Sequence, residues 1–247
     1  TQSRSSAASD VYKRQALRTW RSKCAIVPLG LDLRKLPASV ALRSDQGWRP
    51  QTELRLLSIG RLTYYKGFET LIHAVSALPG VELLIAGEGE LNKSLTELIR
   101  QHTPIGSTPA IRLIGPVSEE EKHALLAQCD VFCLASRERT EAFGIVLLEA
   151  MLHGKPCLIT DLHGSGMPWI VAQAHCGLHI PFEDIDAWRT GIARLKHDQS
   201  LRQRLGQAGQ RALHRHFSIG PCERGIARHY SGCLLYTSPS PRDQRGS

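Results

Sequence analysis

Short apolar runs rich in branched residues alternate along the chain with longer stretches in which apolar positions return every three or four residues. The first pattern predicts strands at Leu54–Ile59, Val81–Ala86, Ile111–Ile114, Val131–Ala135, Pro156–Thr160 and Gly177–Ile180. The second predicts helices at Gly67–Leu78, Leu91–His102, Glu119–Gln128 and Ile145–His153. Leu71, Val75 and Leu78 mark one buried helical stripe, and Ser118 followed by Glu121 is a capping-box start for the third helix. The alternation of strand and helix implies βα units on a parallel sheet, an α/β Rossmann-like architecture with flanking helices. Glu183–Tyr230 is predicted as two or three helices at the sheet edge, and no internal repeat is visible.

The ends do not fit this alternation. Ser5–Gln15 and Cys233–Asp243 each resemble a translated sequencing adaptor, so 1–15 and 233–247 are expected to be adaptor-derived tails. Residues 16–53 are expected to be the remnant of a preceding domain and a linker. Within it, Ile26–Asp32 is predicted as a short strand entering a turn. That leaves one nucleotide-binding domain at 54–230, in an internal piece of a longer protein.

Net charge is +8, of which the two tails carry +3 and the rest +5. A modest positive excess suits a phosphate-bearing ligand or contact with an anionic membrane surface. No Lys/Arg stripe interleaved with aromatics is present, so no nucleic-acid partner is expected. Six of the seven cysteines lie outside the predicted tails, mostly in apolar runs, and Cys129 and Cys133 lack C-x-x-C spacing. Buried thiols in a reducing compartment are the expectation, without a zinc or redox site. His175 and His179, with Gly177 between them, do not make a helical metal pair, and His214 and His216 read as solvated surface. Trp169 is placed either in the cleft or in the core, and Trp188 in the core.

In open parallel sheets ligands bind at the carboxyl ends of the strands. The unusual residues of this chain sit at those ends: Gly60-Arg61 and Lys66-Gly67, Gly87-Glu88-Gly89, Gly115-Pro116-Val117, the loop Arg137–Gly144, and Asp161–Gly166. All five ends are predicted to converge on one rim. Arg61 and Lys66 bring two cations to a helix start, a site for a diphosphate, and Gly60 and Gly67 are expected to let backbone approach it. Glu141 and Glu149 bracket the start of the fourth helix, where one carboxylate can reach a sugar and the other a ribose. Glu149 lies in an apolar helix and needs a partner.

Gly-Arg-Leu-x-x-x-Lys-Gly at 60–67, the Glu141-x7-Glu149 pair and Ala150–Pro156 together resemble the family-4 retaining glycosyltransferases, over nearly all of residues 24–230. The stretches Thr140–Val146 and Gly164–Val171 resemble members that assemble polysaccharide and lipopolysaccharide. The resemblance implies the C-terminal, donor-binding half of a two-domain GT-B fold. It implies that Arg61, Lys66 and Glu141 serve the transfer step: the two cations neutralise the diphosphate and Glu141 contacts the sugar. It further implies that Glu149 holds the ribose hydroxyls, that Phe143, Gly144 and Ile145 line sugar and phosphate, and that Gly89 and Val117 contact the base. Gly60 and Arg139 complete the donor set.

The donor implied is a nucleotide-diphosphate sugar, UDP- or GDP-linked, with no cofactor and no metal. A glycan or lipid-linked acceptor would bind the missing N-terminal domain, in the cytoplasm or at the inner face of the membrane. The isolated piece is then expected to be inactive. Other readings of the same cleft are a GT-B phosphorylase, a sugar-nucleotide epimerase, or a non-catalytic nucleotide-binding module.

Overall fold

The computed structural model describes residues 26–235 apart from 36, 38–41, 43–46, 109 and 142. Six strands, β1 (Leu54–Ile59), β2 (Val81–Ala86), β3 (Ile111–Leu113), β4 (Val131–Leu134), β5 (Cys157–Thr160) and β6 (Gly177–Ile180), form one sheet. Its order is β3-β2-β1-β4-β5-β6 and every pairing is parallel. The direction of strand addition reverses between β1 and β4, the switch point at which such sheets open a crevice.

Eight α-helices accompany the sheet among the described residues: α1 (Phe68–Val75), α2 (Asn92–His102), α3 (Glu119–Gln128), α4 (Ile145–Leu152), α5 (Gly166–Ala174), α6 (Ile185–His197), α7 (Gln199–Ala212) and α8 (Ile219–Leu235). Alternate strand residues face opposite layers. Leu54, Leu56, Leu83 and Ile85 pack with Phe68, Leu71 and Trp188 on one side. Leu57, Leu84, Phe132 and Ile159 pack with Leu125, Leu147 and Ile170 on the other. Each such side chain removed from water contributes about 1.5–3 kcal/mol, so the two cores clamp the sheet and make a stiff base for the loops at its edge.

The six strands and four helices predicted from Leu54 to Ile180 are all present, with ends shifted by up to three residues. The alternation left α5 unpredicted because Gly164, Gly166 and Pro168 read as a loop. Pro168 occupies the first helical turn, where its missing N–H costs nothing, and the Ser165 hydroxyl caps the helix by accepting from the Met167 N–H at 3.3 Å. The region from Glu183 onward is α6, α7 and α8, with a π-helical turn at Leu213–Phe217 joining the last two.

Ile26–Asp32 is not a strand of the sheet. It makes a single bridge: the Leu31 N–H donates to the Phe217 carbonyl at 2.8 Å and the Ile219 N–H donates to the Leu31 carbonyl at 3.0 Å. The linker's end is fastened too. Buried Glu82 of β2 accepts from the Arg49 N–H at 3.0 Å, the Thr52 hydroxyl at 2.8 Å and Arg112 Nη2 at 2.7 Å. The tail assigned to 1–15 lies outside the described residues, as do 16–25 and 236–247. α8 runs on to Leu235, three residues into the second assigned tail.

Candidate active site

Beyond their strands, β1 to β3 remain hydrogen-bonded through their glycine turns. Gly60 N–H donates to Ala86 O at 3.0 Å, Leu62 N–H to Glu88 O at 2.8 Å, and Gly87 N–H to Gly115 O at 2.8 Å. A Cβ on Gly89 would stand 2.5 Å from the Leu62 carbonyl, so only glycine permits this stacking of loops. The result is a cleft of about 1060 Å³, floored by these turns and walled by α3 and the start of α4.

Gly60, Arg61, Lys66, Gly89, Val117, Glu141, Phe143, Gly144, Ile145 and Glu149 all line it. Arg139 does not; it is exposed in the loop that follows β4. The fifth strand end does not reach the cleft either. Its loop acts from behind, where the Ser165 hydroxyl donates to the Glu141 carbonyl at 2.6 Å and holds that residue's backbone. Gly67 serves the fold: with φ at +66°, it packs where a Cβ would fall 2.1 Å from the Ala135 carbonyl, closing α1 onto β4. Gly60 lies under the Lys66 side chain, within 3.0 Å of its Cε by the same measure.

Lys66 and Glu141 form an ion pair with side chains only 11% and 14% exposed. Both groups are thereby oriented at the cleft wall. Arg61 stands exposed at the rim. Gly144, with φ at +76°, begins α4 and offers its first N–H groups no side-chain cap, which leaves donors for an anion.

Glu149 is 8% exposed, and its neighbours Leu147, Leu148, Ala150 and Met151 are buried. The partner its position requires is Lys122 of α3, whose Nζ donates to Glu149 Oε1 at 2.7 Å and to Glu119 Oε2 at 2.7 Å. Burial works against the lysine charge, but the bonds to Glu119 and Glu149 outweigh it and hold the Lys122 pKa above the ordinary lysine value. Sequence spacing missed Lys122, which is one of many surface-type lysines until α3 is packed against α4. The signal that could have found it is the capping box at Ser118, which sets the phase of α3.

Ligand atoms of Glu119, His123 and Glu149 lie within 4.8 Å of one another, the one metal-type group among the described residues. The Lys122 ammonium already bridges the two carboxylates, and His123 Nδ1 is 2.8 Å from His153 Nε2. The Asp-x-Asp spacing at Asp184 and Asp186 belongs to the start of α6: Asp184 accepts from the Ala187 N–H at 2.8 Å and Asp186 pairs with Arg189. Trp169 stands away from the cleft, edge-on to Phe217 with centroids 5.8 Å apart, and Trp188 is fully buried in the core. Cys129, Cys133, Cys157, Cys176 and Cys222 are buried free thiols. Burial pushes Cys129 up to about 12, which makes it inert at neutral pH. No helix is long and apolar enough to cross a membrane among the described residues.

Three kinds of similarity bear on this site. The family model described as "Glycosyl transferases group 1" matches residues 43–212. The lipopolysaccharide core biosynthesis glycosyltransferase LpsE of Rhizobium meliloti is 34% identical over 66% of this chain and 45% of its own length. The D-rhamnosyltransferase WbpZ of Pseudomonas aeruginosa is 31% identical over 77% of this chain and 49% of its own. The chain thus spans about half the length of these curated relatives. Among solved structures, sucrose-phosphate synthase from Thermosynechococcus elongatus superposes with a TM-score of 0.73 at 24% identity, covering 94% of this chain and 58% of that one. Anabaena HepE in complex with UDP gives 0.65 at 22%, covering 74% and 49%. These likenesses establish the fold as that of GT-B glycosyltransferases, and the extent of the family match settles membership. The chain belongs to the group 1 glycosyl transferases.

Proposed function

We propose that the cleft binds a nucleotide-diphosphate sugar, and that the protein of which this chain is the donor-binding half transfers the sugar, with retention, to a glycan or lipid-linked acceptor. The observation that carries the reading is the joint placement of Arg61 and the Lys66–Glu141 pair with the uncapped start of α4, on the wall that also holds the Glu149 carboxylate. Cations and free N–H groups suit a diphosphate; a buried carboxylate suits a ribose diol.

In this reading Arg61 and Lys66 stabilise the charge that grows on the leaving nucleotide. Glu141, held by Lys66 and by Ser165, orients the donor sugar. Phe143, Gly144 and Ile145 line sugar and phosphate, and Gly89 and Val117 face the base. The acceptor hydroxyl attacks on the face from which the phosphate departs, and a donor phosphate oxygen takes its proton. HepE has been solved with UDP and with UDP-glucose, which favours a uridine donor over a guanosine one. The names of LpsE and WbpZ favour an acceptor in lipopolysaccharide or related polysaccharide, assembled in the cytoplasm or at the inner face of the membrane.

Thermal unfolding of the chain with UDP, GDP, ADP and CMP, beside Glu149→Ala, tests the reading. A ligand at a hundred times its dissociation constant adds about 2.7 kcal/mol of stability. One nucleoside diphosphate is expected to raise the wild-type midpoint and not that of the variant. Stabilisation by none of the four would overturn the assignment. The chain by itself is expected to transfer no sugar, because the acceptor side of a GT-B cleft lies on the other domain; turnover by the purified chain would refute that. Product analysis of a full-length relative separates transfer from phosphorolysis and epimerisation.

A further inference from the structure

The function read above leaves Lys122 without a role, although it is the cation on which the Glu149 carboxylate depends. The capping box fixes the start of α3, with the Ser118 N–H donating to Glu121 at 2.8 Å and the Glu121 N–H donating back to Ser118 Oγ at 3.1 Å. One turn on, Lys122 leaves the helix toward α4. Its side chain is 13% exposed and that of Glu149 is 11%, whereas Glu119, the other partner, is 71% exposed. Solvent therefore weakens the Glu119 contact and leaves the Glu149 contact the stronger of the two.

Around Glu149 the helix is apolar, so without Lys122 the carboxylate would lose its hydrogen-bond partner and be free to rotate. Lys122 consumes one of the two lone pairs on Oε1. The other, and both on Oε2, remain for a ligand: Oε2 has no hydrogen-bond donor among the described residues, and Glu149 and Lys122 both line the cleft.

We propose that Lys122 is a positioning residue for ribose recognition, holding the Glu149 carboxylate aimed so that it accepts hydrogen bonds from a ribose diol and selects ribonucleotides over deoxyribonucleotides. This rests on the nucleotide reading of the cleft. It assigns Lys122 no contact with the phosphates and no part in the transfer step.

Binding calorimetry of the chain with UDP, GDP and their 2′-deoxy counterparts tests it in wild type, Lys122→Met, Lys122→Arg and Glu149→Gln. The wild type is expected to prefer the ribo form of the nucleotide it binds. In Lys122→Met that form weakens about tenfold or more, as for loss of an orienting charged hydrogen bond, while the 2′-deoxy form, which keeps only the 3′-hydroxyl for Glu149, weakens less and the preference collapses. Lys122→Arg restores the preference. An ion pair that merely joins two helices would shift the unfolding midpoint and leave the ribo-to-deoxy ratio intact.

Equal weakening of both forms would place Lys122 on the phosphates or base and overturn the inference. A preference that survives Lys122→Met but is lost in Glu149→Gln would overturn it while leaving the nucleotide reading standing. Should the wild type bind no nucleotide, the nucleotide reading falls and the inference with it. If Lys122→Met does not fold, Lys122→Gln, which keeps a shorter N–H donor without charge, is read by the same ratio.

Discussion

At the scale of single residues, the cleft is organised by charges that are paired before any ligand arrives. Lys66 and Glu141 neutralise each other at the wall, so removing either leaves a largely buried charge without its partner. Lys66→Met is expected to lower stability by about 1–3 kcal/mol, read as a shift in urea midpoint. Under the donor reading it also weakens UDP binding while leaving uridine binding little changed.

A second residue-scale prediction concerns pH. His153 closes α4 and faces His123; burial, then His123 and Lys155, pushes its pKa down to about 4, and burial also lowers that of His123. Between the ordinary histidine value near 6.5 and about 4, the unfolded chain binds a proton that the folded chain refuses. Stability is therefore complete above that window and declines as pH falls through it. Urea midpoints measured from pH 7 to pH 5 should drop, and the drop should be smaller in His153→Gln.

At the scale of elements, the cleft depends on how helices begin. α3 is launched by a reciprocal cap at Ser118 and Glu121, and α4 by a left-handed glycine. Ser118→Ala is expected to cost about 1 kcal/mol, measured by chemical unfolding, with faster amide exchange at Lys122, whose N–H donates to the Ser118 carbonyl. Both starts were legible in the chain: Ser118-x-x-Glu121 is a local signal, and Gly144 precedes an apolar run at helical spacing. The start of α5 was not, because its glycines and proline carry the same signals as a loop. What makes it a helix is the burial of Met167, Ile170 and Val171 against the sheet, a tertiary reward that outweighs local propensity.

At the scale of the molecule, the segment before the sheet and the turn before α8 meet at one point. Leu31 bridges Ser218, and Leu29 reaches the cleft wall. A Cβ on Gly30 would fall 2.4 Å from the Ser218 carbonyl. Gly30→Ala is therefore expected to detach the strap, lowering the unfolding midpoint and raising amide exchange at Leu31 and Ile219 before any change in the sheet. A variant with wild-type exchange at those two amides would contradict this. The pattern read from the chain predicted Ile26–Asp32 as a short strand, whereas only Leu31 forms a bridge, since a local apolar run does not determine which backbone it will meet.

The periods of the hydrophobic pattern, 2 along strands and 3.6 along helices, are properties of the covalent chain. They determined the six strands, four of the helices, the parallel α/β class and the glycine-rich strand ends where a ligand can bind. The Lys66 and Glu141 positions and the need of Glu149 for a partner followed from local chemistry in the same way. Which cation meets Glu149, which strand ends face the cleft, and that Arg139 and the Asp161–Gly166 loop stand outside its lining were decided only by packing. Those contacts join residues tens of positions apart, as Lys122 and Glu149 are, and their geometry comes from the angle at which α3 and α4 settle on the sheet.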